Sequence, residues 1–534
     1  MNPARLALEG TGTLVRFALR RDRIRLPVWI AVAAALVAEQ SAGSQAIYDT
    51  PAALAAYRAT VGASAAAIAF AGPPVGLTSV AGAVAFEISG SVMIVAALMA
   101  MFTTGRHSRA DEEAGRTELV RSTEAGRHAP LAAAVAVSAL GCVATAVAIG
   151  AVGTLTGLPA PGSFLLGAGV GACGLVFTGV TAVAAQLSGS TRAAYGLTGA
   201  VLGVAFLLRA VGDIEGSGLV WASPIGWAQA VHPFSDDRWW PLLLCVAALG
   251  ILLVVSVRLL DHRDLGAGLL SGRPGAPAAG RLLATPLGLA VRLQRAALLG
   301  WAVSLVVLGA VYGSMGDTVE SLFQDNPAAQ AFLPGASGAG LVEAYLATIF
   351  SIDALLAAAF AVSSVLRARA EESAGRVEPV LAAATSRSAW LRSHVTVALL
   401  GSALLVVASG GATAAVRAAS SGNAGSFGRL FAASLAYVPA VWALAGVAVA
   451  AVGVVPRAAA AVAWGTVGYV VVVSVFAPGL NWPRWVGDLS PFSWTPLVPV
   501  ESWTTAAAAG LAAAVMALLA IGFGAFGRRD LTTG

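Results

Sequence analysis

The stretch "ADEEAGR" at residues 110–116 returns as "AEESAGR" at residues 370–376, an offset of 260 positions (370 − 110). Both heptads are dense in charge and end in Gly-Arg. The same offset relates three more pairs of identical residues: Arg109 and Arg369, Glu118 and Glu378, Arg127 and Arg387. A pattern that is shared over this length indicates that one structural unit occurs twice in the chain.

The composition around these heptads is that of a membrane protein. Of 534 residues, 58% are hydrophobic and only 11% are charged, whereas a soluble domain carries about 25% charged residues. A membrane-spanning helix needs roughly 20 apolar residues, and twelve stretches satisfy this requirement. They lie near residues 26–46, 84–105, 129–155, 165–187, 193–213, 240–260, 296–316, 345–366, 389–416, 429–452, 457–477 and 504–527.

The basic residues predict the orientation of these spans. All 32 are arginines, and with the N-terminus inside the cell 26 of them fall in segments that face the cytoplasm. This bias follows the positive-inside rule and places both termini and both heptads in the cytoplasm. The net charge of +5 therefore indicates membrane topology and contact with anionic lipid. It gives no reason to propose nucleic acid as a partner.

The spans divide into two sets of six. We predict a first permease half at residues 1–262, a cytoplasmic linker rich in Gly and Pro at 263–288, and a second half at 289–534. Six spans per half give both copies the same orientation, so the predicted fold is an all-α polytopic protein built from two parallel six-helix repeats. The basic stretches at 15–25 and 289–295 are expected to form interfacial helices on the inner leaflet or to be ordinary flanks of the next span.

Each heptad is predicted to form a charged elbow followed by a short helix along the membrane. Gly115 and Gly375 weaken a helix by about 1 kcal/mol relative to Ala and favour its end there. The expected ion pairs, with the acid four residues before the base, are Glu112–Arg116 and Glu372–Arg376. The alternative is a solvated loop whose charges neutralise one another.

The pattern Glu-x-x-Gly-Arg-x-Glu, followed by small and apolar residues and an Arg, resembles the segment after the second span of type II ABC exporter permeases. In that family the segment is a coupling helix that docks in a groove of a cytoplasmic ATPase. "SPIGW" at 223–227 and "SPFSW" at 490–494 resemble the family's outer segments, which re-enter the membrane. Two tandem halves resemble the fused permeases of polyketide-antibiotic (tetronasin-like) exporters of actinobacteria.

The resemblance implies that two copies of an ABC ATPase bind the elbows and carry the ATP and Mg, and that the cargo is a hydrophobic, drug-like molecule. It assigns ATPase coupling to Glu112, Gly115, Arg116, Glu118, Glu372, Gly375, Arg376 and Glu378. A phosphate-binding P-loop requires a Lys, and this chain has none. We therefore expect a permease subunit that is not an enzyme and binds no cofactor itself.

Charged residues are rare at membrane depth, and those that occur there are candidates for a functional role. Asp353 is predicted either to line the substrate pathway or to form a buried hydrogen bond to a Ser or Trp. Glu87 and Glu343, near outer span ends, are predicted pathway residues or interface residues. Trp227 and Trp494 are candidates for an outer gate, with aromatic anchoring at the membrane interface as the plain alternative.

No spacing of Cys or His indicates a metal site or a disulfide framework. Two other functions stay open. A major-facilitator-type drug exporter also has twelve spans in parallel halves, but its loops usually end in adjacent basic residues. A membrane-embedded transferase would need convergent acids, His or a nucleophile near one face, and the acids of this chain are dispersed.

Overall fold

The computed structural model describes residues 7–48, 50–270, 278–316, 319, 340–383, 385–476, 483–502 and 505–531. Every regular element within these ranges is helical. The chain divides into two compact units, Met1–Pro274 and Gly275–Gly534. Each unit is described by itself below.

Unit 1 contains six long apolar helices, α1 to α6. They are α1 Arg25–Ile47, α2 Val80–His107, α3 Ala129–Leu155, α4 Ala160–Leu187, α5 Thr191–Glu215 and α6 Pro241–Asp261. The helix Thr11–Arg21, the first elbow and the end of α6 lie at one end of this unit, called here the Arg-rich end. The segment between α5 and α6 lies at the other, Trp-rich end.

The described part of unit 2 has a matching set of helices, α7 to α12. They are α7 Pro286–Ser314, α8 Leu341–Ser373, α9 Arg387–Ser420, α10 Ser426–Val454, α11 Ala459–Phe476 and α12 Thr505–Arg528. Helix α10 is interrupted between Leu435 and Val438. The second elbow and the end of α12 form the Arg-rich end of this unit.

The predicted fold class, an all-α polytopic membrane protein, is confirmed. Each of the twelve predicted spans falls on one of the twelve helices. Eleven are long and apolar enough to cross a membrane, whereas the apolar part of α11 within the described residues is the shorter segment Ala459–Ser474. The twelfth crossing, predicted at 457–477, therefore stays a prediction.

Local sequence signals account for where several helices begin. Side-chain oxygens of Ser79, Ser190 and Ser386 accept hydrogen bonds from the backbone N–H three residues on, at 3.0 to 3.2 Å. Such caps satisfy N–H groups that have no partner inside the helix. Pro241 and Pro286 begin α6 and α7, at a position where the missing N–H costs nothing.

Helices α2 and α4 are the most enclosed in unit 1, and their counterparts α8 and α10 are the most enclosed in unit 2. Helix α4 packs along α2, α3 and α6. Glycines permit this approach: a Cβ at Gly167 would lie 2.2 Å from the carbonyl oxygen of Ala146 in α3. Small residues at such contacts let helix backbones come close where lipid supplies no hydrophobic drive.

The two basic stretches before the first span of each half differ. The first forms a separate helix, Thr11–Arg21, which ends before α1. The second, 289–295, lies inside α7, which runs without a break from Pro286 to Ser314. An interfacial helix at 289–295 is therefore wrong, because this stretch is the first part of a membrane-length helix.

The beginning of the predicted linker, 263–288, is part of unit 1. The backbone N–H groups of Leu269 and Leu270 donate to the carbonyls of Gln186 and Leu187 at the end of α4, at 3.3 and 2.8 Å. These hydrogen bonds hold the chain after α6 against the Arg-rich end, and the compact unit extends to Pro274.

We expect Gly453→Ala to destabilise the protein, because the new Cβ would lie 2.3 Å from the carbonyl oxygen of Gly522 in α12. Overpacking of this kind costs about 1–3 kcal/mol. The control is Gly465→Ala in α11, where no heavy atom lies within 4 Å of the new Cβ. The midpoint of thermal unfolding in detergent should fall only for Gly453→Ala; equal midpoints for the two variants would contradict the packing described here.

Candidate functional site

Both elbows turn at a glycine with a left-handed backbone. In unit 1 a short helix, Arg109–Glu113, continues α2, and the next helix is Arg116–Arg121. In unit 2, α8 runs to Ser373 and is followed by Glu378–Ala382. Gly115 and Gly375 lie between, with φ of +71° and +69°. Glycine adopts this conformation without the steric cost that a side chain brings, and the helix ends just before these glycines, as the sequence predicted.

In the first elbow Glu112 is bound by an arginine far away in the sequence. The Arg263 guanidinium, two residues after the end of α6, donates to both carboxylate oxygens of Glu112, at 2.6 and 2.7 Å. The backbone N–H of Gly266 donates to the same carboxylate at 2.7 Å. Bidentate, charge-assisted hydrogen bonds of this kind are strong and fix the orientation of both groups.

The second elbow repeats this arrangement. Arg529, which directly follows α12, donates to both carboxylate oxygens of Glu372 at 2.5 and 2.7 Å. The Glu372 side chain is fully buried, and that of Glu112 is 6% exposed. Both carboxylates are thus removed from water and neutralised by an arginine from the end of the last helix of their own unit.

A second arginine completes each cluster. Arg109 Nη1 lies 3.3 Å from Glu112 Oε2, and Arg369 Nη1 lies 3.4 Å from Glu372 Oε2. Arg109 is buried and also donates to the carbonyl of Gly266 at 2.8 Å. We call Arg109, Glu112 and Arg263 the clamp of unit 1, and Arg369, Glu372 and Arg529 the clamp of unit 2.

The predicted ion pairs Glu112–Arg116 and Glu372–Arg376 are wrong. Arg116 Nε donates to Asp111 at 2.9 Å, and Arg376 Nε donates to Glu371 at 2.7 Å. The four-residue spacing requires a continuous helix, but the left-handed glycine lies between acid and base. The chain therefore turns, and the preceding acid, Asp111 or Glu371, becomes the partner.

The elbows also contact the start of the fifth helix of their unit. Glu113 Oε1 accepts a hydrogen bond from the backbone N–H of Thr191, the first residue of α5, at 3.0 Å. In unit 2, Arg369 Nε donates to the carbonyl of Pro456, just before α11, at 3.1 Å. Each elbow is thus held by two helices besides the one that carries it.

The helix Thr11–Arg21 attaches to the first elbow. Arg21 Nη1 donates to Asp111 at 2.7 Å, and this hydrogen bond raises the pKa of Arg21 above its usual value. An open groove of about 680 Å³ lies beside this contact. Its lining includes the apolar side chains of Leu14, Leu119 and Val120, and Leu119 is 72% exposed.

The two Ser-Pro-x-x-Trp segments make the same hydrogen bond. Trp227 Nε1 donates to the carbonyl of Trp221, and Trp494 Nε1 donates to that of Asp488, both six residues back and both at 2.7 Å. Short helices lie there, Pro224–Gln229 in unit 1 and Arg484–Asp488 in unit 2. A gate role for Trp227 and Trp494, and re-entry of these segments into the membrane, stay predictions.

The predicted pathway residues have different environments. Asp353 in α8 is buried, and its Oδ2 accepts a hydrogen bond from Ser409 in α9 at 2.7 Å. Its Oδ1 is buried without a hydrogen-bond partner among the described residues. Glu343 is half-buried and pairs with the exposed Arg429 at 3.2 Å, which is typical of an interface residue.

Glu87 in α2 lies in a polar cluster at the end of α1. Its carboxylate accepts hydrogen bonds from Ser44 and Tyr48, each at 3.0 Å, and from Gln40. Burial, together with the Glu87 charge, raises the pKa of Tyr48, so the phenol stays a donor. Since the carboxyl group has three hydrogen-bond partners, the cluster is satisfied internally and ties α1 to α2.

Among the described residues, no group of three or more His, Cys, Asp or Glu side chains is placed to hold a metal ion. Cys142, Cys173 and Cys245 are buried free thiols. The two clamps are charged clusters of the same geometry in both units.

Comparison with known proteins gives two matches. The family model described as "Multidrug efflux system permease Rv1217c, C-terminal domain" matches residues 283–527. The multidrug efflux system permease protein Rv1217c of Mycobacterium tuberculosis (strain ATCC 25618 / H37Rv) is 40% identical over 527 residues, which are 98% of this chain and 95% of the relative. The chain belongs to the Rv1217c family of multidrug efflux permeases.

Membership of this family agrees with the predicted permease and its multi-pass membrane location. The family is one of transporters rather than enzymes. The ABC type, the tetronasin-like subgroup and the cytoplasmic location of the termini stay predictions.

Sequence reasoning missed Arg263 and Arg529, which this permease places in its clamps. A signal was present: the tripeptide Arg-Asp-Leu occurs at 263–265 and again at 529–531, each time directly after the last span of a half. Three residues are too few to identify a repeat alone. Because the tripeptide occupies the same position in both halves, Arg263 and Arg529 could have been added to the repeated residues as candidate site residues.

We expect Glu372→Gln to destabilise the permease by roughly 3–5 kcal/mol, because it removes the buried anion that Arg369 and Arg529 share. The matched control is Glu378→Gln, six residues on and exposed, where a surface change stays within about 0.5 kcal/mol. Thermal unfolding of both variants in the same detergent measures this difference. A loss of equal size in both variants would mean that the clamp contributes no more to stability than an exposed side chain does.

Proposed function

We propose that this protein is the membrane-embedded subunit of an ATP-driven ABC exporter that moves hydrophobic or amphipathic, drug-like compounds out of the cell. Two copies of a separate cytoplasmic ATPase would bind the two elbows and hold the ATP and Mg. The observation that carries the proposal is the repeated elbow in a chain of the Rv1217c family. The Arg-rich end of each unit then faces the cytoplasm.

The absence of Lys from the sequence supports a separate energy source. A P-loop uses its Lys to hold the β- and γ-phosphates of the nucleotide, and all 32 basic residues here are Arg. The relative's name, a multidrug efflux system permease, is consistent with a system in which other components supply the energy.

Burial divides the eight predicted coupling residues into two groups. Glu112 and Glu372 are engaged in the clamps, and Gly115 and Gly375 provide the turn. Arg116, Glu118, Arg376 and Glu378 are exposed and are therefore the side chains that a docked ATPase would touch. In unit 1 the neighbouring Leu119 is also exposed and would add an apolar contact to the docked ATPase.

We expect the double change Glu118→Arg and Glu378→Arg to reduce co-purification of the ATPase by roughly tenfold or more, since like charges set against a complementary surface cost several kcal/mol. The tagged permease is purified from its native host in mild detergent, and the co-purifying proteins are identified and quantified by mass spectrometry. The control is Glu215→Arg, an exposed acid at the Trp-rich end.

A P-loop ATPase at about two copies per wild-type chain, retained by the control and lost by the double variant, is the expected result. A folded, monodisperse wild-type chain that arrives without an ATPase would overturn the ABC assignment. Retention of the ATPase by the double variant would instead move the docking site away from these two acids.

We also propose that Asp353 contacts cationic cargo. A buried carboxylate with one oxygen free of hydrogen bonds, among the described residues, has capacity for one further donor. Its counterpart at the 260-residue offset is the apolar Met93, so only unit 2 would supply this contact.

Asp353→Asn should reduce export of cationic compounds and leave export of neutral ones largely unchanged, because the amide keeps the shape and removes the charge. The control is Glu343→Gln, whose carboxylate already pairs with Arg429 near the surface. Efflux of one cationic and one neutral fluorescent drug is measured side by side in cells. Equal loss of both drugs would assign Asp353 to folding through its Ser409 hydrogen bond.

A further inference from the structure

The clamps join parts of the chain that the membrane fold does not otherwise bring into contact through long packed surfaces. Glu112 and Arg263 are 151 residues apart in sequence, and Glu372 and Arg529 are 157 apart. Both pairs are bidentate, both involve a carboxylate that is at most 6% exposed, and both add a second arginine three residues before the glutamate. The same geometry thus occurs in both units on different surrounding sequence.

Stability alone is a poor reason for such an arrangement. Removing two charges from water costs several kcal/mol per ion, and well-packed apolar residues often serve stability as well or better. What a bidentate pair supplies is a fixed orientation of one segment against another. In each unit it fixes the elbow to the Arg-rich end of the last helix, α6 or α12.

These last helices lie at the outside of their units. The share of the apolar window that is buried is 11% for α6 and 17% for α12, the lowest values besides that of α7. Helix α6 packs on α4, and α12 packs on α10. Within the residues that the structure describes, neither helix packs along the helix that carries the elbow of its unit, α2 or α8, so the clamp is a direct tie between the last helix and the elbow.

At its other end, α6 contacts the chain around the Ser-Pro-x-x-Trp segment of unit 1, residues 221–227, called here the Trp motif. Trp240, the residue before α6, stacks on Trp221 with ring centroids 5.5 Å apart. The carbonyl of Trp221 accepts the hydrogen bond of Trp227. Helix α6 has 21 residues and is therefore about 32 Å long at 1.5 Å per residue. One rigid element thus runs from the clamp to the Trp-rich end of unit 1.

We propose that Arg263 and Arg529 are positioning residues for transport, which make the last helix of each unit move with its elbow. In unit 1 this linkage reaches the Trp motif through α6. The proposal rests on the proposed function in one respect, that a partner ATPase displaces the elbow. Neither arginine needs to touch the ATPase or the cargo.

The test uses the full permease with its co-purified ATPase in lipid nanodiscs. We expect Arg263→Gln and Arg529→Gln to lower the thermal stability but to retain the ATPase, because Arg109 and Arg369 still pair with the glutamates and the exposed elbow side chains are unchanged. Drug-stimulated ATP hydrolysis should fall by roughly fivefold or more, the lower end of typical coupling between two sites. The drug concentration for half-maximal stimulation should stay the same, since the drug site is intact.

Matched controls are available on the same helix ends. Arg258→Gln and Arg528→Gln remove exposed arginines from the last turns of α6 and α12 and should leave the stimulation unchanged. Arg263→Lys separates positioning from folding. It keeps the positive charge beside Glu112 and hence most of the thermal stability, but it lacks the planar two-pronged donor, so the stimulation should still fall.

A direct readout of the linkage is the accessibility of the Trp-rich end. Leu219 is exposed there, and the native cysteines are buried. Leu219→Cys should therefore react with a membrane-impermeant thiol reagent at a rate that changes when ATP is bound. Adding Arg263→Gln should abolish this change, whereas adding Arg258→Gln should preserve it.

The outcomes separate the two claims. Absence of an ATPase from the wild-type preparation would overturn the proposed function. With the ATPase bound, normal drug stimulation in both Gln variants would overturn the positioning role alone. An ATP-dependent change in labelling that persists in Arg263→Gln, or that is absent from the wild type, would overturn the linkage through α6.

Discussion

A buried carboxylate that accepts two hydrogen bonds from one guanidinium is the constraint on which the Arg-rich end of each unit depends. Apolar helices in lipid gain no hydrophobic stabilisation from association, because the lipid tails are as apolar as they are, so close packing and polar contacts position them. An ion pair removed from water, in contrast, has few acceptable arrangements. The pairs Glu112–Arg263 and Glu372–Arg529 therefore hold each elbow against the chain that follows the last helix of its unit.

Other contacts of the elbow depend on this anchor. With Glu112 directed to Arg263, Asp111 is left for Arg116 and Arg21, and Glu113 caps the start of α5. Three consecutive acids thus bind three different segments. In unit 2 the position of Glu113 is taken by Ser373, and Arg369 contacts the chain before α11 instead. The clamp is common to both units, whereas the contacts around it differ.

The two units also differ at membrane depth. Asp353 in α8 has the apolar Met93 as its counterpart in α2, and Glu87 in α2 has Ala347 in α8. A carboxyl group with three hydrogen-bond partners, as at Glu87, contributes to structure. At Asp353, in contrast, one carboxylate oxygen has no hydrogen-bond partner among the residues that the structure describes. The repeated plan therefore gives equal elbows but unequal interiors, which suits a transporter with one asymmetric pathway.

The sequence by itself determined the helices, the elbows and the glycine turns. Each of these is a local property: about 20 apolar residues define a span, and a position with positive φ selects glycine. The tertiary structure alone decided the partner of each charge. Several arginines lie close to Glu112 in the sequence and could have paired with it. Its actual partner, Arg263, is 151 residues away and reaches Glu112 because α6 ends at the same end of the unit. Ion-pair partners depend on which helix ends lie close together in the fold, and the local pattern of the sequence does not contain that information.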